Sequence, residues 1–531
     1  MQIFCIENEH TTPAVRYTID YLLERSGFFY QWKPNISGID GPGLVLLYGN
    51  ETDTHKFPAI QLPAAIDPLL LPDQEITWDE FSINGEALPV VGLSKAYRGI
   101  IPFDVVATVF FFLSLLYERD YGHPDDADKN HTNHPLYRYG RFKRPVVDII
   151  CAWFTEKIER IFREQGFIYL RKSAFPEGRK MGFSFTHDVD ITRAANPVKR
   201  ILQGWFSHSK KRILQEAEAA VWAFDRLLPF YNDKGWRATF NFIARPWEGR
   251  HYRYNIKSNR FRSLIRRLEA EGHEVGLHPS RFTFEHPRRF LQEKKRLEEV
   301  VGKPLHGMRQ HYLRGLYPDL WRAAENSGLS YDCSLAYRRR AGYRAGTGGP
   351  FTCFDWRENR TLNCTEFPTA FFESSLPGGG TDTDVAWGAI RSFFETAQRY
   401  GTVLTVLWHP SNMYSHPYWS RVWNEITMLA EQYKPFIAPL WQQLQWKETR
   451  RALRLVSVDE KANTITLVIE HPRKAMPGGV RISGKVLRAT DQNGNRIPWQ
   501  PTENNMQEII FNSEELRLEI ALSKSERTPH K

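Results

Sequence analysis

Asp188 and Asp190 end the run Gly182-Phe183-Ser184-Phe185-Thr186-His187-Asp188-Val189-Asp190, an apolar strand pattern that empties into two carboxylates one residue apart. Side chains alternate faces along a strand, so positions i and i+2 aim the same way. Two bare negative charges at such range repel, and the pair calls for a shared proton or a cation between them. A metal-assisted hydrolase uses such a pair, with one carboxylate on the ion and the other handling protons. The same two residues also suit a solvated turn or a helix cap ahead of Thr192-Arg193-Ala194-Ala195.

Comparable residues recur further along. Glu274-Val275-Gly276-Leu277-His278-Pro279-Ser280 places a His where a strand breaks at Pro, and Gly307-Met308-Arg309-Gln310-His311-Tyr312 sets Arg and His together. Val406-Leu407-Trp408-His409-Pro410 puts another His directly after an apolar run. One such His is an ordinary hydrogen-bonded structural residue. Four polar strand ends of the Asp/His/Arg type form a constellation if one sheet carries them.

Such a sheet is expected. Between about Phe167 and Trp446, short apolar strands (Gly182 to Thr186, Ala238 to Ile243, Glu274 to Leu277, Gly307 to His311, Tyr331 to Leu335, Thr365 to Pro368, Val403 to Trp408) alternate with amphipathic stretches. The stretches Phe261 to Glu271, Pro287 to Val301, Pro318 to Ser327 and Asp384 to Tyr400 read as helices. Alternation predicts a parallel α/β sheet, and so many repeats predict a barrel with its working residues at the C-terminal strand ends.

Three domains follow: a mixed α/β domain over 1–165, the barrel over 166–446 and a small antiparallel β-domain over 447–531. In the first, Met1 to Ile6 and Leu44 to Tyr48 read as strands, and Ala14 to Ser26 and Phe103 to Asp120 as helices. In the last, Leu453 to Ser457, Thr464 to Glu470, Val480 to Ala489, Glu508 to Phe511 and Leu516 to Leu522 alternate apolar and polar positions.

The 531 residues are 41% hydrophobic and 25% charged, an ordinary balance with ample room for buried cores. The N-terminus has no basic leader followed by an apolar run, and Phe103 to Tyr117 contains Asp104, so a cytoplasmic protein without a membrane segment is expected. Cys5, Cys151, Cys333, Cys353 and Cys364 lack metal-knuckle spacing and read as small buried side chains. The net charge of +10 is carried by short separated clusters, Lys210-Lys211-Arg212, Arg288-Arg289 and Arg338-Arg339-Arg340, so no nucleic-acid partner is expected. The His- and Asp-rich loop with His123, His131 and His134 reads as a polar loop, with a metal site as the lesser alternative.

From Phe183 to Pro410 the order of these segments resembles the NodB-type polysaccharide deacetylases, carbohydrate esterase family 4, and more closely a branch whose first motif is His-Asp-Val-Asp. The resemblance implies a distorted (β/α) barrel and makes Asp188 the general base, Asp190 the metal carboxylate and His278 the first metal His of a His-Ser-x-x-His pattern. Phe282 stands where that pattern has its second His. Arg309-Gln310-His311-Tyr312 replaces Arg-x-Pro-Tyr, so we expect His311 to supply the missing nitrogen; it could instead face the substrate. The resemblance further implies His409 as general acid and Arg309 as the partner that keeps Asp188 ionised. Asp332 matches the position that orients the catalytic His, though a turn or cap carboxylate fits it equally. His187 is open between a ligand and a donor behind the ligands.

The implied cofactor is a divalent metal ion, zinc or similar, and the implied substrate an N-acetylated sugar or polysaccharide precursor. The Tyr312 backbone amide is an expected oxyanion donor. Trp408 is expected to contact the sugar, with Trp205, Trp222, Trp236 and Trp247 as further stacking candidates or plain core. Two other readings remain: an amidohydrolase acting on a small carbon-nitrogen substrate, and a non-catalytic carbohydrate-binding or assembly protein with a degenerate site.

Overall fold

The computed structural model describes residues 1–531 except 40, 50–56, 70–77, 95–98, 120–134, 139, 191, 193–221, 246–253, 282, 379–381, 414–416, 462, 474–475 and 523–531. Its centre is a ten-stranded sheet built from β1 (Gly182–Val189), β2 (Thr239–Phe242), β3 (Glu274–Leu277), β4 (Gly307–Met308), β5 (Tyr331–Asp332), β6 (Phe351–Asp355), β7 (Arg360–Glu366), β8 (Thr369–Phe372), β9 (Val403–Leu407) and β10 (Phe436–Ile437). The order is β6-β7-β5-β4-β3-β2-β1-β9-β8, with β10 also on β1. Every pairing is parallel except β6 with β7. The chain therefore forms a mixed α/β structure in which β1 to β5, and β8 to β10, run the same way and return through helices.

Local sequence explains each return. The helix Thr383–Tyr400 starts at Asp382, whose carboxylate accepts from the Asp384 and Val385 amides, and stops at Gly401 with φ 61°. A side chain there would be strained, so glycine ends the helix and turns the chain into β9, buried at all five positions. A continuous aliphatic run suits a parallel strand covered on both faces.

Among the described residues no ladder closes β6 onto β8, so the expected barrel is a rolled sheet with two open ends. The roll is measured by Arg309, just after β4. Its guanidinium reaches Thr186 Oγ1 in β1 (2.7 Å), Thr369 Oγ1 in β8 (2.8 Å) and the Cys333 carbonyl after β5 (2.9 Å). β8 itself was not foreseen. Pro368 reads as a strand end, but the chain resumes strand pairing at Thr369 beside β9 after the proline. Of the segment read as a strand over Thr365 to Pro368, only Thr365 and Glu366 are strand, as the end of β7, which begins at Arg360.

Ahead of the central sheet, Gln2–Ile6, Tyr30–Lys33, Gly43–Tyr48 and Ala59–Leu62 form a parallel sheet with the helix Pro13–Ser26. The expected long helix over Phe103 to Asp120 is the shorter Val105–Leu113, because Leu115 takes a left-handed conformation with φ 55°. Beyond the central sheet, two four-stranded sheets follow, one of which is completed by Leu170–Lys172. Val480 to Ala489, read as one strand, is the pair Gly478–Ile482 and Lys485–Thr490. All five cysteines are buried and unpaired. No described helix is long and apolar enough to cross a membrane.

Candidate active site

Asp188 belongs to β1, and Asp190 lies one residue past its end. His278 follows β3, Arg309 follows β4, and His409 stands two residues past β9. Parallel strands deliver all of these to one rim of the sheet. His278 Nε2 lies 3.1 Å from Asp190 Oδ1 and 3.8 Å from Asp188 Oδ2, and His311 Nε2 lies 3.5 Å from Asp190 Oδ2. One ligand atom from each of Asp190, His278 and His311 falls within 4.8 Å of the others.

The donor set fits a divalent cation. His278 Nδ1 lies 2.5 Å from the Arg309 carbonyl, so Nδ1 carries the proton and Nε2 presents its lone pair. Asp190 Oδ1 and His278 Nε2 are buried and close, yet neither makes a hydrogen bond. Two buried acceptors left without a donor are costly, and a metal ion between them removes the cost. One carboxylate and two imidazoles leave an open coordination position of the kind a catalytic zinc site needs.

Asp188 is held apart from that set. Its Oδ1 accepts from Arg309 Nη1 (3.2 Å) and from Asn241 Nδ2 (3.0 Å). Burial works against its charge, but His278 and Arg309 outweigh burial and hold the carboxylate below its ordinary range. Asn241 was not singled out from sequence. It pairs with Asp188 across the β1/β2 ladder, and in Thr239-Phe240-Asn241-Phe242 the period of two puts the polar residues on the Asp188 face.

His409 Nε2 is 3.6 Å from Asp190 Oδ2, and its Nδ1 is 2.8 Å from Glu373 Oε1. Glu373, just after β8, also accepts from the His409 backbone amide (2.9 Å) and Asn412 Nδ2 (2.7 Å). Burial lowers the imidazole's basicity, but the Glu373 charge and hydrogen bond, then Asp190 and Asp188, push it up to about 10. A protonated imidazole fixed by a carboxylate can act as a general acid.

Glu373 therefore occupies the place expected for Asp332, and that expectation is corrected. Asp332 bonds Ser334 through Oδ1 and faces Glu366, away from His409, because it sits in β5 against β7. Burial pushes the Asp332 carboxyl up to about 6, against the lowering bonds from Ser334 and Glu366, while burial and the Asp332 charge push Glu366 well up. A carboxyl raised in the folded state adds stability when protonated, and loses it as pH rises from about 4 to about 6. Asp332→Asn should therefore be more favourable to stability at pH 7.5 than at pH 4, measured by denaturant unfolding at the two values. It should also retain near-parental turnover; loss of turnover with metal retained would restore the role expected from sequence.

Trp408 is a second correction. It is 0% exposed and packs against Trp419 and Trp423. Trp408 lies just past β9, and its ring packs into the core while the next residue, His409, reaches the site. His187 is turned away from the ligands by strand alternation, since it lies next to Asp188 within β1. Its ring bonds the Trp408 carbonyl (2.7 Å) and the Tyr231 hydroxyl (2.6 Å), and burial lowers its pKa to about 3. Trp222 is buried and Trp236 stacks on Phe185. Trp205, Trp247, Phe282, Lys210 to Arg212, His123, His131 and His134 lie outside the described residues.

Tyr312 is 40% exposed beside the His311 ring, at a centroid distance of 3.9 Å. It and Leu313 have φ of 59° and 54°. Two successive left-handed residues are strained by about 1–3 kcal/mol each, a cost that structures retain at functional loops.

A model of a family of unknown function, DUF7033, matches residues 4–163, which is less than a third of the chain and lies outside the site. No curated protein matches. Among solved structures, the chain is similar to a protein described as a polysaccharide deacetylase of Mycobacterium smegmatis, with 16% identity and TM-score 0.37 over 54% of this chain and 97% of that one. It is also similar to Puue allantoinase, with 14% identity and TM-score 0.37 over 51% of this chain and 91% of that one. A third is the peptidoglycan deacetylase PdaC from Bacillus subtilis, with 12% identity and TM-score 0.26 over 51% and 94%. Each is a distant likeness over half of the chain.

Proposed function

We propose that this protein is a metal-dependent hydrolase that removes an N-acetyl group from a sugar or polysaccharide precursor. The observation that carries this reading is the convergence on one strand rim of a three-ligand set, Asp190, His278 and His311, with a separate carboxylate, Asp188, and a separate imidazole, His409. Asp190, His278 and His311 would hold a divalent cation, which would supply Lewis acidity for the amide carbonyl.

The remaining chemistry belongs to the chain. Asp188, kept ionised by Arg309 and oriented by Asn241, accepts a proton from the attacking water. His409, fixed at Nδ1 by Glu373, gives the proton on Nε2 to the departing nitrogen, so the amine leaves neutral. The Tyr312 amide follows the His311 ligand and is the backbone donor nearest in sequence for the oxyanion. Acetate and a free amino sugar result.

Acetate release from N-acetylglucosamine oligomers, assayed beside allantoin and other small amides, tests the substrate class. Release from the sugars alone supports the proposal, whereas turnover of the small amides alone replaces it with the amidohydrolase reading. Purified protein that binds no divalent metal overturns both. Glu373→Gln keeps an acceptor for His409 but removes the charge, and should lower kcat by about 10²-fold with metal content unchanged. Unchanged kcat would remove Glu373 from the proton path.

A further inference from the structure

A cavity of 640 Å³ lies at the end of the central sheet opposite the active site, where Gly401 and Val403 lead into β9 and His409 is at the far end of that strand. Its walls come from three parts of the chain: the helices Pro13–Ser26 and Val146–Glu164, the strand Leu170–Lys172, and the helix Leu440–Ala452. Ten Lys and Arg side chains line it against six carboxylates.

Pairing accounts for most of the acids. Asp148 is bonded by Arg25, Glu159 by Arg171, Glu24 by Arg451 and Glu503 by Lys180. Asp20 accepts from Trp32. Three half-buried cations are left over. Lys447 Nζ reaches only the hydroxyls of Thr352 (3.2 Å) and Thr365 (3.4 Å). Arg450 donates to the carbonyls of Ser173, Glu24 and Arg25, and Lys172 Nζ to the Arg451 carbonyl (3.2 Å). Among the described residues, no carboxylate oxygen lies within 4.0 Å of any of the three. Glu24, already bonded to Arg451, is the carboxylate whose charge reaches all three, so the cations outnumber the negative charge beside them, and an anion in the cavity offsets the deficit.

We infer that this cavity binds a small oxyanion carrying two or more negative charges, held by Lys172, Lys447 and Arg450. The volume is that of a small-molecule site, and a guanidinium with two ammonium groups matches phosphate or carboxylate oxygens. Burial and the neighbouring Arg450 lower Lys172 to about 7, and burial with Arg25 and Arg171 lowers Arg450 to about 9, as expected of cations waiting for an anion. The inference is independent of the hydrolase proposal, because none of these residues touches the metal ligands.

Two measurements on the full chain test it, with inorganic phosphate and succinate as probes against chloride at equal ionic strength. Phosphate or succinate should raise the melting midpoint by at least about 2 °C, and Lys447→Met and Arg450→Met should each abolish the rise. In the unaltered protein, lysine acylation read by peptide mass spectrometry should slow several-fold at Lys172 and Lys447 but not at the exposed Lys461. The anion giving the greater protection identifies the class. No protection by either anion overturns the inference, even if the variants fail to fold. An equal midpoint rise in both variants overturns it too, because the anion then binds elsewhere.

Discussion

Asp188→Asn should lower kcat for acetate release by 10²–10⁴-fold, the range expected when a general base is removed, while the purified protein keeps its divalent metal. Asparagine is nearly isosteric and can still accept the Asn241 and Arg309 hydrogen bonds through its carbonyl oxygen. It cannot take a proton. The substitution also leaves the fully buried Arg309 without its counter-charge, so stability should fall by about 3 kcal/mol. Turnover must therefore be measured well below the variant's melting midpoint, alongside metal analysis. Turnover within a few-fold of the parent would remove Asp188 as base, and loss of metal would reassign it to the ligand set.

The second large effect belongs to the ligands. Asp190→Ala removes the only carboxylate of the set and should leave less than about a tenth of the parental metal content after dialysis, with activity lost in proportion. His311→Ala should behave alike, since Phe282 stands where the resembled motif has its second His. Full metal occupancy in the His311 variant would show that a different side chain completes the site. Elemental analysis of the two variants beside the parent decides the matter without an activity assay.

Much of this site was legible because strands impose simple rules. A period of two brings Asp188 and Asp190 to one face, and a parallel sheet puts the residues after β3, β4 and β9 on the same rim. Trp408 was harder to place, since it and His409 follow the end of β9 and its burial against Trp419 and Trp423 comes from packing. Glu373 was hidden for another reason. It depends on β8, a strand that begins just after Pro368 and is recognised only through its pairing with β9. Asp332 misled because its own strand-end position is sound, while what it faces, Glu366, is set by a long-range neighbour strand. Local pattern gives the direction of a side chain; its partner comes from topology.

The strand Leu170–Lys172 joins a sheet whose other members lie some three hundred residues downstream, pairing Leu170 with Ile482 and Lys172 with Val480. The C-terminal segment is therefore not a detachable module. Expressed alone, it would carry a bare row of amides and carbonyls along Gly478–Ile482, an invitation to foreign strands and to aggregation. Truncation after Trp446 would orphan the opposite side of the same seam, so ribosomal synthesis must pass Ile482 before Leu170–Lys172 finds its mate.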